Sequence, residues 1–319
     1  MSTTSISPIG NVLVPFDGTV HDPEMLLRVH EFVGSGRRFT ILLLTETTDE
    51  NASQLKTAVQ TGASEAADRP TDIRIESCDT RGNPAETIVE SAHDIHAQMI
   101  VWSEPTQLRQ GSEWRPIDSI TLGEELALTA DIPVMLLPAI ATQGAAHIER
   151  PTRVLVPLDG SATSNAAIPI AGVLARLFDI PIHLMTVIDS DTALPPAYAH
   201  MYDNNYDRQD VMATLQFEAN QALNLAESTL REAGIDVSSS LVEGHVIDCL
   251  IGATAKNDLV VMTTHGKGNA SRSRFGSMAL QIIRRASVPV VVLHPSAASL
   301  ANYSGGSSWS LAPIATRAH

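Results

Sequence analysis

The chain contains itself twice. Val12-Leu13-Val14-Pro15-Phe16-Asp17-Gly18-Thr19 is echoed 142 residues later by Val154-Leu155-Val156-Pro157-Leu158-Asp159-Gly160-Ser161. The closing segments repeat as well. Ala130-Asp131-Ile132-Pro133-Val134-Met135-Leu136-Leu137 matches Ala286-Ser287-Val288-Pro289-Val290-Val291-Val292-Leu293, 156 residues on. Matching order at both ends implies two duplicated domains, and a chain of 319 residues has room for two of ordinary size. The expected boundaries are a first domain over 1–138, a linker over 139–151, a second domain over 152–295 and a flexible tail over 296–319 rich in Ser, Ala and Gly.

Within the second half, strand-like and helix-like runs alternate. The apolar runs are 154–158, 182–188, 237–242, 259–262 and 290–293. Helical patterning falls at 165–177, about 211–233, 246–255 and 277–286. In the last, Met278, Ile282, Ile283 and Ala286 recur at helical spacing, Ser277 is placed as an N-cap, and Arg284-Arg285 complement the dipole. Such alternation predicts an α/β fold: two doubly wound parallel-sheet domains in tandem. Ligands of these sheets bind at the carboxyl ends of the strands, where the strand order reverses. The segments after the first and fourth strands are then the walls of one site.

Hydrophobic residues make up 44% of the chain and aromatic residues only 4%, so the cores must be built from aliphatic side chains. The net charge of −15 argues against nucleic acid and anionic membrane as partners, because both select basic surfaces. An anionic ligand must be held locally. Cys78 and Cys249 show no metal-binding or redox spacing and read as reduced thiols. Residues 1–10 have no apolar signal-peptide core, and no run approaches the ~18–20 apolar residues of a membrane span. A cytoplasmic protein is expected.

One stretch meets the demand for a local anion site. Leu259-Val260-Val261-Met262 is followed by Thr263-Thr264-His265-Gly266 and a loop that carries Lys267, Arg272 and Arg274 without an acidic residue. The loop ends at Gly276-Ser277, where a helix opens. Backbone at glycines can approach phosphate oxygens, and the first helical N–H groups favour negative charge. Lys267, Arg272 and Arg274 are candidate phosphate contacts.

These residues resemble the universal stress protein family in its tandem two-domain form. Gly266, nine residues, Gly276 and Ser277 match the end of the glycine motif in its ATP-binding members; the motif's first glycine is replaced by Thr263. If the backbone there needs positive φ, a β-branched residue resists it; if only closeness to a ribose is needed, Thr fits. The Val-Pro-Leu-Asp-Gly-Ser opening and the Val-Pro-Val-Val-Val ending extend the likeness over nearly all of residues 10–295. The resemblance implies a Rossmann-like fold, similar to the adenine nucleotide alpha hydrolases, and a site for ATP or another adenine nucleotide, with Mg left open. It assigns nucleotide binding to Pro157, Leu158, Asp159, Val187, Met262, Thr263, Gly266, Gly276, Ser277, Met278 and Ala279. It also implies that the last strands, near 134–137 and 290–293, lie at a domain interface.

The first domain lacks the pattern. Ile120 and Thr121 stand where the second domain has Gly276 and Ser277, and the cations Arg109 and Arg115 are offset by Glu104, Glu113 and Asp118. Thr121-Leu122-Gly123-Glu124-Glu125 reads as a capping box, in which Glu124 satisfies the donors a phosphate would use and repels its charge. His93 and His96, three apart on an expected helix, find no third ligand and read as a solvated face. His265 has no catalytic partner at a useful spacing. Asp189 and Asp191 read as a turn, and the segment with Tyr198, Tyr202 and Tyr206 as a long connection. No catalytic residue and no metal site is assigned. The expected function is a stress-response protein that binds ATP in its second domain and acts as a ligand-gated interaction switch. A slow ATPase and a ligand-free dimerisation scaffold are the alternatives. Pairing of domains within the chain is expected, with a homodimer of chains left open.

Overall fold

In the computed structural model the described residues are 9–16, 38–45, 72–79, 82–103, 120–138, 150–189, 205–264 and 277–294. The chain divides into two compact units. One comprises Met1–Arg150 with Val291–His294, the other Pro151–Val290 with Pro295–His319. The expected tail lies outside the described residues.

The first unit runs β1 (Asn11–Phe16), β2 (Arg38–Thr45), β3 (Asp72–Asp79), α1 (Pro84–Asp94), β4 (Met99–Ser103), α2 (Leu122–Thr129) and β5 (Val134–Leu137). Its strands lie in the order β3-β2-β1-β4-β5, and every registered pair is parallel. The second unit runs β6 (Arg153–Pro157), α3 (Ala162–Asn165), α4 (Ala167–Phe178), β7 (Ile182–Ile188), α5 (Asn205–Glu232), β8 (Val237–Glu243), α6 (Val246–Ala253), β9 (Asp258–Thr263) and α7 (Ser277–Arg285). The strand β10 (Val290–Leu293) follows. The second unit repeats the order of the first as β8-β7-β6-β9, again parallel. The fold is α/β with a parallel sheet, as the alternating pattern predicts.

Burial explains the strand sequences. β1 and β9 are buried along their whole length, as continuous apolar runs covered on both faces should be. β8, with Ser238-Ser239-Ser240, is mostly half-exposed and lies at the end of the sheet. Polar side chains there suppress stray strand pairing.

Each unit ties its first strand to its fourth by the same device in different chemistry. Arg153 opens β6, and its Nε donates to Asp258 Oδ1 at 3.1 Å while Nη2 donates to the Ala253 carbonyl at 3.0 Å. Asp258 is 1% exposed. At the matching place in the first unit, the Asn11 amide N–H donates to Gln98 Oε1 and its side-chain Nδ2 to the Ile95 carbonyl, both at 2.6 Å. An ion pair in one repeat is a neutral amide pair in the other.

Three local expectations are corrected. The helix read over 165–177 is broken into α3 and α4 at Ala166. Pro169 explains this: it lacks an N–H for the Asn165 carbonyl and fits only the first turn of a new helix. His96 is not on a helix with His93. α1 ends at Asp94, and His96 is left-handed at φ 53°. His93 instead pairs with Asp131 at 3.0 Å. Finally, Ser277 is the first residue of α7 and not the residue before it.

Candidate functional site

In the second unit β6 is followed to one side by β7 and β8, while β9 lies on its other side. The order therefore reverses between β6 and β9, the place where open α/β sheets take ligands. Pro157, Leu158 and Asp159 lie at the carboxyl end of β6, Val187 near that of β7, and Met262 and Thr263 at that of β9. The fold thus gathers six of the sequence-assigned residues at the ends of three neighbouring strands.

The segment after β6 is shaped by its own side chains. Gly160 takes φ 76°, which a residue with a Cβ adopts at a cost. Asp159 Oδ1 accepts from the Ser161 N–H at 2.9 Å, closing a turn. Ser161 then caps α3, its Oγ accepting from the Ser164 N–H at 3.0 Å, and Ser164 Oγ donates to the Ser161 carbonyl at 3.1 Å. The Asp159 N–H in turn donates to Ser164 Oγ at 3.3 Å. The turn fixes where the Asp159 carboxylate and the neighbouring amides stand. The sequence assignment missed Ser161 and Ser164; the signal was an Asp-Gly-Ser turn running straight into a helix.

β7 outlasts β6, and this leaves an edge. Pro181 and Met185 turn their carbonyls toward β6, accepting from Val154 at 2.9 Å and Leu158 at 2.8 Å. Ile182 donates the other way, to the Asp236 carbonyl at 2.9 Å, and the Ile188 carbonyl accepts from Gly244 at 3.0 Å. Alternate residues of a strand between two parallel neighbours serve alternate sides. Val187 therefore presents both N–H and C=O on the β6 side, two residues past the last β6 register pair, Pro157 with Met185. A donor and an acceptor side by side in that position match the edge of a heterocyclic base.

Thr263 needs no glycine. It is the last residue of β9 and is buried; the non-glycine residues with positive φ among those described are His96 and Asp179. Of the two conditions, the strained one does not apply. Across the site, α7 opens with Ser277; Met278 is 43% exposed and Ala279 is buried. Arg284 and Arg285 fall in its last turn, as expected. Gly266, Gly276, Lys267, Arg272, Arg274 and His265 lie outside the described residues.

The matching helix of the first unit is closed. Thr121 caps α2, its Oγ1 accepting from the Glu124 N–H at 3.1 Å while the Thr121 N–H donates to Glu124 Oε2 at 3.0 Å. Glu124 is 4% exposed. Two of the helix's N-terminal donors are thus taken, one by the Thr121 hydroxyl and one by the Glu124 carboxylate, and a phosphate would have to displace them.

Among the described residues no group of His, Cys, Asp and Glu is arranged to hold a metal, and no helix is long and apolar enough to cross a membrane.

Comparison with known proteins agrees with the geometry. A model of the universal stress protein family matches residues 151–294. A universal stress protein of Mycolicibacterium smegmatis is 31% identical over 146 residues, which is 44% of this chain and 47% of the relative. One of Mycobacterium tuberculosis is 27% identical over 141 residues, with the same coverage. A universal stress protein of Methanocaldococcus jannaschii is 27% identical over 143 residues, covering 81% of its length. The chain thus spans about half the length of the mycobacterial relatives it matches. Among solved structures, a universal stress protein from Archaeoglobus fulgidus aligns with a TM-score of 0.62 at 18% identity, covering 91% of this chain and 99% of its own; at that identity the likeness is one of fold. The sequence match is confined to residues 151–294, which fit the model of the universal stress protein family, and the likeness of fold spans nearly all of the chain.

Proposed function

We propose that the second unit binds an adenine nucleotide, ATP being the favoured species, and that the protein works as a stress-linked, ligand-gated interaction switch. The observation that carries this reading is the free edge of Val187. Its amide pair stands beyond the end of β6, beside the strand-order reversal, where a base can be read by backbone alone. The half-buried Asp159, held by its turn, is suited to accept from a ribose hydroxyl. The opening of α7 supplies helix N-terminal N–H groups for phosphates, and the cations Lys267, Arg272 and Arg274 precede it in sequence. The first unit serves as a structural partner, since its matching helix is self-capped.

Native mass spectrometry of the full chain tests the reading. A mass increment equal to one adenine nucleotide, retained through gentle desalting and lost after partial unfolding, is the expected result. Protein that carries no nucleotide and gains none on incubation with millimolar ATP would refute it.

A further inference from the structure

β8 lies at the end of the sheet, and burial holds it weakly. Val237 is its one buried residue; Ser238 and Glu243 are exposed, and the residues between are half-buried. α5 covers one face of the strand. Gln216 Nε2 donates to Glu243 Oε1, and Arg231 Nη2 donates to the Val237 carbonyl at 3.3 Å. Side chains alternate faces along a strand, so Ser238 and Ser240 lie on the face away from Glu243. The described side-chain hydrogen bonds to β8 on that face both come from His183 of β7. Its Nδ1 meets Ser238 Oγ and its Nε2 meets Ser240 Oγ, each at 2.9 Å.

A neutral imidazole suits this bridge, since one ring nitrogen donates, the other accepts, and the two hydroxyls supply the complements. An imidazolium does not suit it. The charged groups facing the ring are Arg153 on β6 and Asp258 on β9. Asp258 is already engaged: it accepts from Arg153 Nε at 3.1 Å and, through Oδ2, from the Ala255 N–H at 2.9 Å. α6, whose last residue offers its carbonyl to Arg153, has Asp248 as its charged side chain, and this is paired with Arg285 at 2.9 Å. Asp236, just before β8, is exposed, and β8 itself offers the ring only hydroxyls. Burial, and then the Arg153 cation, hold the ring toward its neutral form, with Asp258 opposing.

We propose that His183 is an acid-sensitive clasp: when its ring takes a proton, β8 detaches locally from β7 while the rest of the second unit stays folded. Once β8 has moved away the ring regains water and an ordinary proton affinity. The closed strand is therefore favoured above the ordinary value of 6.5, and opening grows as pH falls from there through the lower value of the closed form. An edge strand with so little burial can open alone. The ladder marks the amides that report it. Ile182 donates to the Asp236 carbonyl at 2.9 Å and Gly244 to the Ile188 carbonyl at 3.0 Å, so by alternation Ser238, Ser240 and Val242 also turn their N–H groups toward β7. Opening bares the edge of β7 between Ile182 and Ile188, a row of backbone groups ready to pair with another strand.

Hydrogen exchange of the full chain, read by mass spectrometry and corrected for intrinsic rates, tests the clasp. Between pH 7 and pH 5 the amides of Ser238, Ser240, Val242 and Gly244 should exchange at least ~3-fold faster, while those of β6 and β9 hold steady. His183→Gln keeps a donor and an acceptor but cannot titrate, so its corrected β8 rates should be flat across the same range. The double variant Ser238→Ala, Ser240→Ala should exchange fast in β8 already at pH 7. These side chains are exposed or half-buried, so the variants should fold, which circular dichroism checks. Parent β8 rates that do not change with pH would overturn the proposal. So would an equal acid response in His183→Gln, or parallel acceleration in β6 and β9, which would mean global unfolding instead of a local opening.

Discussion

At the scale of single residues, backbone direction decides what β7 offers a ligand. Val187 matters for its amide and not for its side chain, so substitutions should separate the two. Val187→Pro removes the N–H on the β6 side without deleting a bond to β8. It should weaken ATP binding by about 10–100-fold, the worth of one hydrogen bond whose acceptor is left unpaired. Val187→Ala should bind nearly as the parent does. Equal losses in both variants, measured by titration calorimetry, would mean that the side chain carries the contact. His183 makes a different residue-scale prediction. Its ring bridges Ser238 Oγ and Ser240 Oγ, each at 2.9 Å. Burial holds its pKa below the ordinary value, with the Arg153 cation adding to the effect and Asp258 opposing it. A depressed folded-state pKa means that the unfolded chain takes the proton first as pH falls. The stability His183 contributes is therefore present above the unfolded value near 6.5 and lost as pH drops through the lower folded value. The urea midpoint of the parent should fall more between pH 7 and pH 5 than that of His183→Gln, and parallel pH curves would remove His183 from the account.

At the scale of elements, one helix terminus of the first repeat is closed by its own side chains. α2 closes its own N-terminus through Thr121 and Glu124. Thr121→Ala should lower stability by about 1 kcal/mol in urea denaturation, the typical cost of losing an N-cap. It should leave ATP binding unchanged, and a fall in binding would place the nucleotide near α2. This cap was legible in the sequence because a Thr followed by Glu at the right spacing is a local chemical pattern. Strands were legible for a similar reason: β7 and β10 fall on the expected residues, since apolar runs in buried parallel strands are unbroken. Other features resisted. α5 starts at Asn205, six residues before the apolar pattern does, because its first turns are polar and carry no period. The break at Ala166 hangs on one proline within an otherwise continuous apolar run. The Val187 edge depends on where β6 stops relative to β7, which is a matter of register and not of composition. Asp159 was visible as a motif residue, but its turn with Ser161 and Ser164 emerged only from the hydrogen bonds.

At the scale of the whole molecule, one chain carries two units of the same strand order with different chemistry. The first unit keeps the topology but closes its helix start with a capping box; the second has a glycine-shaped turn and a free strand edge. The strand ties differ as well, Asn11 with Gln98 in the first unit and Arg153 with Asp258 in the second. The central claim is thus an asymmetry: a nucleotide belongs to the second unit and not to the first. Calorimetric titration of the full chain with ATP measures it most directly. One site per chain, abolished or strongly weakened by Val187→Pro, is the predicted result. Two equivalent sites per chain, or binding that survives Val187→Pro and disappears on Thr121→Ala, would contradict it.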